Sequence, residues 1–363
     1  MKYFFVTGEY SGDLIAASVI RELYHADPRA QIAAWGGDQM KKTACQIYRD
    51  QSGMQVMGYS GIIRQLFAFR QLIKDCKRDI THFSPDVVIL VDYGGFNMRL
   101  LSWLKKQGTK VAYLSPPKTW ASRSSRNKAL RSYSDLLIPL FAFEQRYFEG
   151  EGLSSKYWGH PLQPKKTANP SLKPIIGTII VAPGSRMQEI HHILPTIIET
   201  ARSIKTPYKW IISIAPNLDK DLITSTYPLP TSTTIEYSTS PLTELYEQGD
   251  LSIITSGTAS IQAAWAGIPQ IVVYRTSQIN YLIAKSIIKV KYLSLVNLEM
   301  NKDIVPELIQ QKMTVTHLTN AIEKLSPMEA RQKSLSQYLN LQNLTFSNYS
   351  SFNIAKTIFD LSM

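Results

Sequence analysis

Hydrophobic and polar positions in this chain alternate between short apolar runs and longer stretches of helical spacing. Short apolar runs recur at residues 3–7, 31–35, 85–91, 110–114 and 135–139; each is predicted as a strand, with 85–91 of the buried parallel type. Residues 14–24 and 141–149 carry apolar side chains at helical spacing between them. Residues 163–174 form a polar stretch with three prolines and three lysines, the best linker in the chain. The pattern then restarts. Residues 175–182, 210–214, 234–237, 251–255 and 270–274 read as strands, and 314–363 is helical in pattern. Strands alternating with helices on both sides of one linker predict an α/β protein of two Rossmann-like, doubly wound parallel-sheet halves. A length of 363 residues suits two such domains.

The turns that leave these strands carry the candidate chemistry. Gly8-Glu9-Tyr10-Ser11-Gly12-Asp13 follows the first strand without the G-x-G-x-x-G fingerprint, which lowers the case for NAD. Asp92 stands just past the strand 85–91, where open sheets carry ligands. It can accept a proton there, or cap a helix starting near Phe96. Pro183-Gly184-Ser185-Arg186 is a tight turn before a helix carrying Glu189, with an arginine able to fork onto a diphosphate. Ser256-Gly257-Thr258 joins the strand 251–255 to a helix over 259–266, placing free N–H groups at a positive dipole end. It is either a phosphate site or an ordinary βαβ turn tightened by Gly257. His160, beside the linker, is as readily a hinge-packing residue as a catalytic one. Asp219-Lys220-Asp221 reads as a solvated loop or helix start, and the adjacent His191 and His192 point to different helix sides. No metal is expected.

The net charge of +12 favours an anionic partner. Residues 115–131 are basic and acid-free, but no recognition helix or RNA-binding motif accompanies them, so nucleic acid is not expected. Residues 58–80 combine an apolar stripe with flanking cations, Arg64, Arg70, Lys74, Lys77 and Arg78 among them. Such a helix packs on a core or dips into a lipid surface. No run approaches the roughly 20 apolar residues of a membrane span. The first residues are too short for a signal peptide, and Cys45 and Cys76 read as free thiols of a reducing cytoplasm.

Taken in order, these landmarks resemble the lipid-A-disaccharide synthase family. They are Gly8-Glu-Tyr-Ser-Gly-Asp13, Gly36-Gly37, Asp92-Tyr-Gly-Gly-Phe-Asn97, Ser115-Pro116 with Trp120, Phe143-Glu144 and Gly159-His-Pro-Leu162 in the first half. Pro183-Gly-Ser-Arg186, Ser256-Gly-Thr258, Tyr274-Arg275, Ser294-Leu-Val-Asn297 and Val305-Pro-Glu-Leu-Ile-Gln310 follow in the second. The resemblance implies a GT-B fold, two Rossmann-like domains facing across a cleft. Residues 1–165 would form an acceptor- and membrane-facing domain, 166–345 a UDP-sugar domain, and 346–363 a helix packing back on the first. It implies inverting transfer of 2,3-diacylglucosamine from UDP-2,3-diacylglucosamine to 2,3-diacylglucosamine 1-phosphate (lipid X), with no cofactor beyond the UDP-sugar donor. The place implied is the cytoplasmic face of the inner membrane, reached through a basic, apolar patch of the N-terminal domain. A homodimer stays open.

The same resemblance assigns catalysis to Asp92 and Glu9. It gives the acceptor side to Ser11, Gly12, Asp13, Asn97, Ser115, Glu144 and His160. UDP falls to Gly184, Ser185, Arg186, Ser256, Gly257, Thr258, Gln262, Tyr274, Arg275, Asn297 and Glu307. This chain departs from the family's pattern at Gly95, where many members carry Asp, at Gln262 for Glu, and at Ala142 for Pro. Another GT-B enzyme of the UDP-N-acetylglucosamine 2-epimerase kind, or a lipid-binding homologue with little turnover, are the alternatives.

Overall fold

Twelve strands form two six-stranded parallel sheets in the computed structural model, which describes residues 1–51, 62–164, 177–229, 234–288, 290–346 and 350–363. The first sheet contains β1 (Lys2–Val6), β2 (Gln31–Gly36), β3 (Gln46–Asp50), β4 (Val87–Val91), β5 (Lys110–Leu114) and β6 (Leu136–Ile138). Its order is β3-β2-β1-β4-β5-β6. The second contains β7 (Thr178–Ala182), β8 (Lys209–Ser213), β9 (Ile235–Ser238), β10 (Leu251–Thr255), β11 (Gln270–Tyr274) and β12 (Glu307–Ile309), in the order β12-β11-β10-β7-β8-β9. Each sheet therefore reverses direction once, between β1 and β4 and between β7 and β10. Ligands of open parallel sheets bind at that crevice.

The central strands are mostly apolar because helices cover both sheet faces. Val87 to Val91 are fully buried. The chain divides into Met1–Gln163 with Thr345–Met363, and Pro164–Leu344. Within the first unit the C-terminal helix Ser350–Ser362 packs along the helix Tyr10–Ala26. Ile354, Ala355 and Ile358 are buried on it. Cys45 and Cys76 are free and buried, and burial pushes both thiols up.

Several elements differ from the sequence pattern. The first helix starts at Tyr10, four residues before its apolar spacing does, with Glu9 extended at its cap and Asp13 in its first turn. An acid there suits the helix dipole and needs no apolar neighbour to signal it. The half-buried edge strand β3 and the three-residue β12 are too short or too polar for a period-2 signal. The helices Gln278–Ile287 and Leu295–Met300 also lie where no element is predicted. The amphipathic segment over 58–80 is helical from Ile62 to Phe83 and buries Leu72, Cys76 and Ile80, while its residues 58–61 lie outside the described ones. The linker beyond Pro164 lies outside them as well.

Candidate active-site residues

At the first switch point the loops after β1 and β4 come together. Asp92 and Tyr93 both take left-handed backbone conformations, with φ of 47° and 45°. This strain lifts the chain out of β4 and opens the short helix Gly94–Asn97. The buried Asn97 amide donates to the carbonyls of Val6 (3.3 Å), Val91 (3.3 Å) and Asp92 (2.9 Å), stitching the ends of β1 and β4. The Tyr113 hydroxyl donates to the Asp92 carbonyl at 3.0 Å. Asp92 is therefore held by its backbone, and its half-buried carboxylate accepts no hydrogen bond from a described residue. The helix cap after β4 is Tyr93, without a side-chain cap bond.

Gly12 is required beside it. A Cβ there would stand 2.2 Å from the Thr7 hydroxyl and 3.8 Å from the Asp92 Cβ. That hydroxyl is fully buried and has no hydrogen-bond partner among the described residues. Glu9 lies close enough to Tyr93 for its charge to raise the phenol, after burial does the larger part. Ser11 is half-buried in the first turn of the helix. Asp13 faces away from this group. Its buried carboxylate accepts from Gly37 (2.9 Å), Gln39 (2.9 Å) and Met40 (3.1 Å), fixing the turn after β2.

Cations gather on the β5 side. Ser115 leaves β5 with φ of 54°. Arg126 brings an Nη1 within 3.7 Å of the place a Cβ on Gly94 would occupy. The guanidinium is half-buried and forms no ion pair with a described residue; burial first, and then Arg123 and Arg99, depress it. Arg99 stacks over Phe69 at 4.6 Å from the ring centroid. Spacing alone marks the segment as basic, but the grouping of these three depends on the fold.

Glu144 and His160 are interior groups. Glu144 accepts from Trp120 Nε1 and from the Leu140 amide, both at 3.0 Å. Burial pushes its carboxyl up to about 7 against those hydrogen bonds. His160 is buried against Phe141, and its Nδ1 accepts from the Leu162 amide at 3.1 Å, so the imidazole carries its proton on Nε2. Burial lowers it to about 3. Its carbonyl accepts from Ser350 at 3.2 Å, which ties the C-terminal helix down. Of the two roles open to His160 in the sequence, this geometry is that of the packing residue.

The second switch point brings together most of the residues expected to hold UDP. Gly184 sits at φ of 127°, where a Cβ would meet Glu189 Oε2 at 2.2 Å. Glu189 accepts from the Ser185 amide at 3.0 Å and lies 3.6 Å from Arg186, which is exposed. Across the switch point, the Ser256 hydroxyl donates to the Leu293 carbonyl at 2.5 Å, which commits its proton to the chain and leaves the turn's backbone amides as its anion donors. Gly257 and Thr258 begin the helix Thr258–Trp265, with Gln262 half-buried one turn on. Tyr274 ends β11 near enough to feel Glu189 and Arg186, and Arg275 reaches Thr196 Oγ1 at 3.5 Å.

Asn297 and Glu307 stand behind this surface. Asn297 donates to Val305 O (2.9 Å) and Glu307 Oε1 (2.8 Å), and accepts from the Ile304 and Val305 amides. Glu307 accepts from the Leu293 and Ser294 amides at 2.9 Å each. Their polar groups are committed to the turn that receives Ser256. Two supporting residues lie outside the expected site set: Asn217 donates to Ser185 O at 2.9 Å, and Gln310, which closes the Val305–Gln310 landmark, holds both backbone groups of Thr276. Among the described residues no three His, Cys, Asp or Glu side chains stand together as a metal site. Asp219 caps the helix Lys220–Thr226 by accepting from Leu222.

Two doubly wound units, each with ligand loops at its switch point, define the GT-B class. A UDP-N-acetylglucosamine 2-epimerase from Methanocaldococcus jannaschii, solved with UDP-GlcNAc and UDP, superimposes with a TM-score of 0.64 at 13% identity, over 99% of this chain and 100% of that one. The family model described as lipid-A-disaccharide synthetase matches residues 3–359, and the chain belongs to that family of glycosyltransferases. It is similar to the lipid-A-disaccharide synthase of Coxiella burnetii (strain CbuG_Q212), 27% identical over 98% of this chain and 97% of the relative. It is also similar to lipid-A-disaccharide synthase 1 of Legionella pneumophila (strain Philadelphia 1), 31% identical over 91% and 89%.

Proposed function

We propose that this chain is an inverting glycosyltransferase that moves 2,3-diacylglucosamine from UDP-2,3-diacylglucosamine to the 6-hydroxyl of lipid X. The products are the β-1,6-linked disaccharide 1-phosphate and UDP. The observation that carries this reading is the meeting of the Gly184–Arg186 and Ser256–Thr258 turns at one switch point, in a chain that the family model matches from residue 3 to 359.

The acceptor O6 attacks the donor's anomeric carbon from the face opposite UDP. The bond from that carbon to the β-phosphate oxygen breaks, its electron pair leaves with UDP, and the O6 proton passes to the Asp92 carboxylate. Amide groups of the Ser256–Thr258 turn and the Arg186 guanidinium meet the charge that grows on the diphosphate, without a metal ion. Gln262 hydrogen-bonds the ribose, more weakly than a carboxylate would. Asn297 and Glu307 act as positioning residues through the Leu293–Ser294 turn. Glu9 supports the acceptor beside Asp92. Arg126, with Arg123 and Arg99, supplies the cations for the acceptor's phosphate. The exposed Phe67 and the cations of the helix Ile62–Phe83 would meet the cytoplasmic face of the inner membrane, so the enzyme works as a peripheral protein.

A turnover assay tests this reading, with both diacylated substrates in detergent and EDTA present, following UDP release and disaccharide mass. Formation of the disaccharide is the expected result. UDP binding without product would leave the fold standing and remove the reaction.

A further inference from the structure

The helix Gln278–Ile287 is amphipathic the wrong way round for a soluble domain. None of its residues is buried. Ile279, Leu282, Ile283 and Ile287 recur at helical spacing and are 72%, 63%, 53% and 40% exposed, and Ile288 just beyond is 40% exposed. Tyr281 and Ala284, on the opposite side, are half-buried. The helix therefore lies on its unit by its less apolar side and turns its apolar stripe outward. A contiguous exposed patch of this kind marks an interaction surface.

Charge says which surface. Lys285 flanks the stripe and is exposed, and Lys291 follows, with its ammonium 4.9 Å from the Tyr292 ring centroid. No Asp or Glu occurs between Asp250 and Glu299, a span that also carries Arg275 and Lys289. Apolar side chains bordered by lysines, with an aromatic ring and no acid on the helix itself, match the boundary between acyl chains and anionic headgroups; Asp303 acts on Lys291 from a neighbouring turn. A partner protein would impose no such one-sided charge.

We propose that the helix Gln278–Ile287 docks its unit on an anionic lipid bilayer, as a second membrane contact in addition to the one proposed for the helix Ile62–Phe83. This rests on the lipid-substrate reading above, because it brings the donor site to the surface that holds acylated donor. The stripe inserts among the acyl chains, and Lys285 and Lys291 stay at the phosphates.

The test is sedimentation of the full-length protein with vesicles of phosphatidylglycerol and phosphatidylethanolamine, and with vesicles of phosphatidylcholine alone. The expected result is salt-sensitive binding to the first and little to the second. The triple variant Ile279→Ser, Leu282→Ser, Ile283→Ser should lose at least about tenfold in partitioning. Lys285→Glu with Lys291→Glu should lose about fivefold or more. Both variants should keep the melting temperature and the turnover of detergent-dispersed substrates. Unchanged vesicle binding by the triple variant would overturn the proposal. So would a shift from dimer to monomer with binding intact, which would make the stripe a contact between two copies. Loss of detergent turnover in the triple variant would also overturn it, by placing the helix in the acyl-chain site. A wild-type protein that binds these vesicles through the stripe yet forms no disaccharide would instead sink the proposed reaction and leave the docking surface in place.

Discussion

At Asp92 the backbone does the positioning, and the carboxylate accepts no hydrogen bond from a described residue. Its carbonyl is held by Asn97 and Tyr113, and its left-handed conformation turns it out of β4. Asp92→Asn should reduce turnover by about two to four orders of magnitude while UDP affinity, measured by calorimetric titration, stays put. Near-normal turnover would remove Asp92 from the mechanism. Gly95 is exposed, and a Cβ there meets nothing within 4 Å. Gly95→Asp should therefore fold without cost, and it should raise turnover if the family's usual carboxylate adds to Asp92. The position of Asp92 is legible in the sequence because an apolar run ends on it. The commitments of Asp13, Asn97, Asn297 and Glu307 are not, since each bonds amides or carbonyls that only the fold brings near.

Two buried ionisable residues predict opposite pH slopes. Glu144 titrates near 7 when folded against 4.5 ordinarily, so between those values the folded state keeps a proton that the unfolded chain has lost. Stability from this group is present below 4.5 and lost as pH rises through 7. His160 titrates near 3 against 6.5, so its stability is present above 6.5 and lost as pH falls through 3. Each slope is about 1.4 kcal/mol per pH unit, and from 4.5 to 6.5 the two cancel. Chemical denaturation across that window should show stability rising with pH in Glu144→Gln and falling in His160→Gln. Parallel curves for the two variants would contradict the assigned burial.

At the scale of elements, the donor loop depends on Gly184. Any other residue there must take φ of 127° and displace Glu189 from the Ser185 amide. Gly184→Ala should cost about 1–3 kcal/mol in urea unfolding and weaken UDP binding at least about tenfold. Affinity unchanged in that variant would mean that the turn does not shape the site. The apolar strands of both sheets are legible from their own runs, to within three residues at either end. The short β3 and β12 are not, because pairing with β2 and β11 sustains them rather than their own pattern. The outward-facing helix Gln278–Ile287 has apolar residues at the spacing that a core helix also shows. Only exposure distinguishes the two.

For the whole molecule, each unit has its own core and its own ligand loops, so their stabilities should respond separately. UDP at about 100 times its dissociation constant should stabilise Pro164–Leu344 by about 2.7 kcal/mol and leave the other calorimetric transition unmoved. Removing residues 350–363 should lower the transition of Met1–Gln163 instead, because Ile354 and Ile358 leave the surface of the helix Tyr10–Ala26 bare. A single transition that shifts as one under both treatments would contradict this independence.

Local chemistry determined the two α/β halves and the loops that follow β1, β4, β7 and β10. Apolar runs, glycines and helix starts are short-range signals, and the ordered set of motifs identifies the family. The tertiary structure alone decided which loops share a switch point, which polar residues are consumed in holding them, and which arginines gather around Arg126 near Gly94. It also decided that the stripe on Gln278–Ile287 faces outward. Those outcomes depend on contacts between residues far apart in the chain, and on which face of an element finds a neighbour, neither of which a local pattern records.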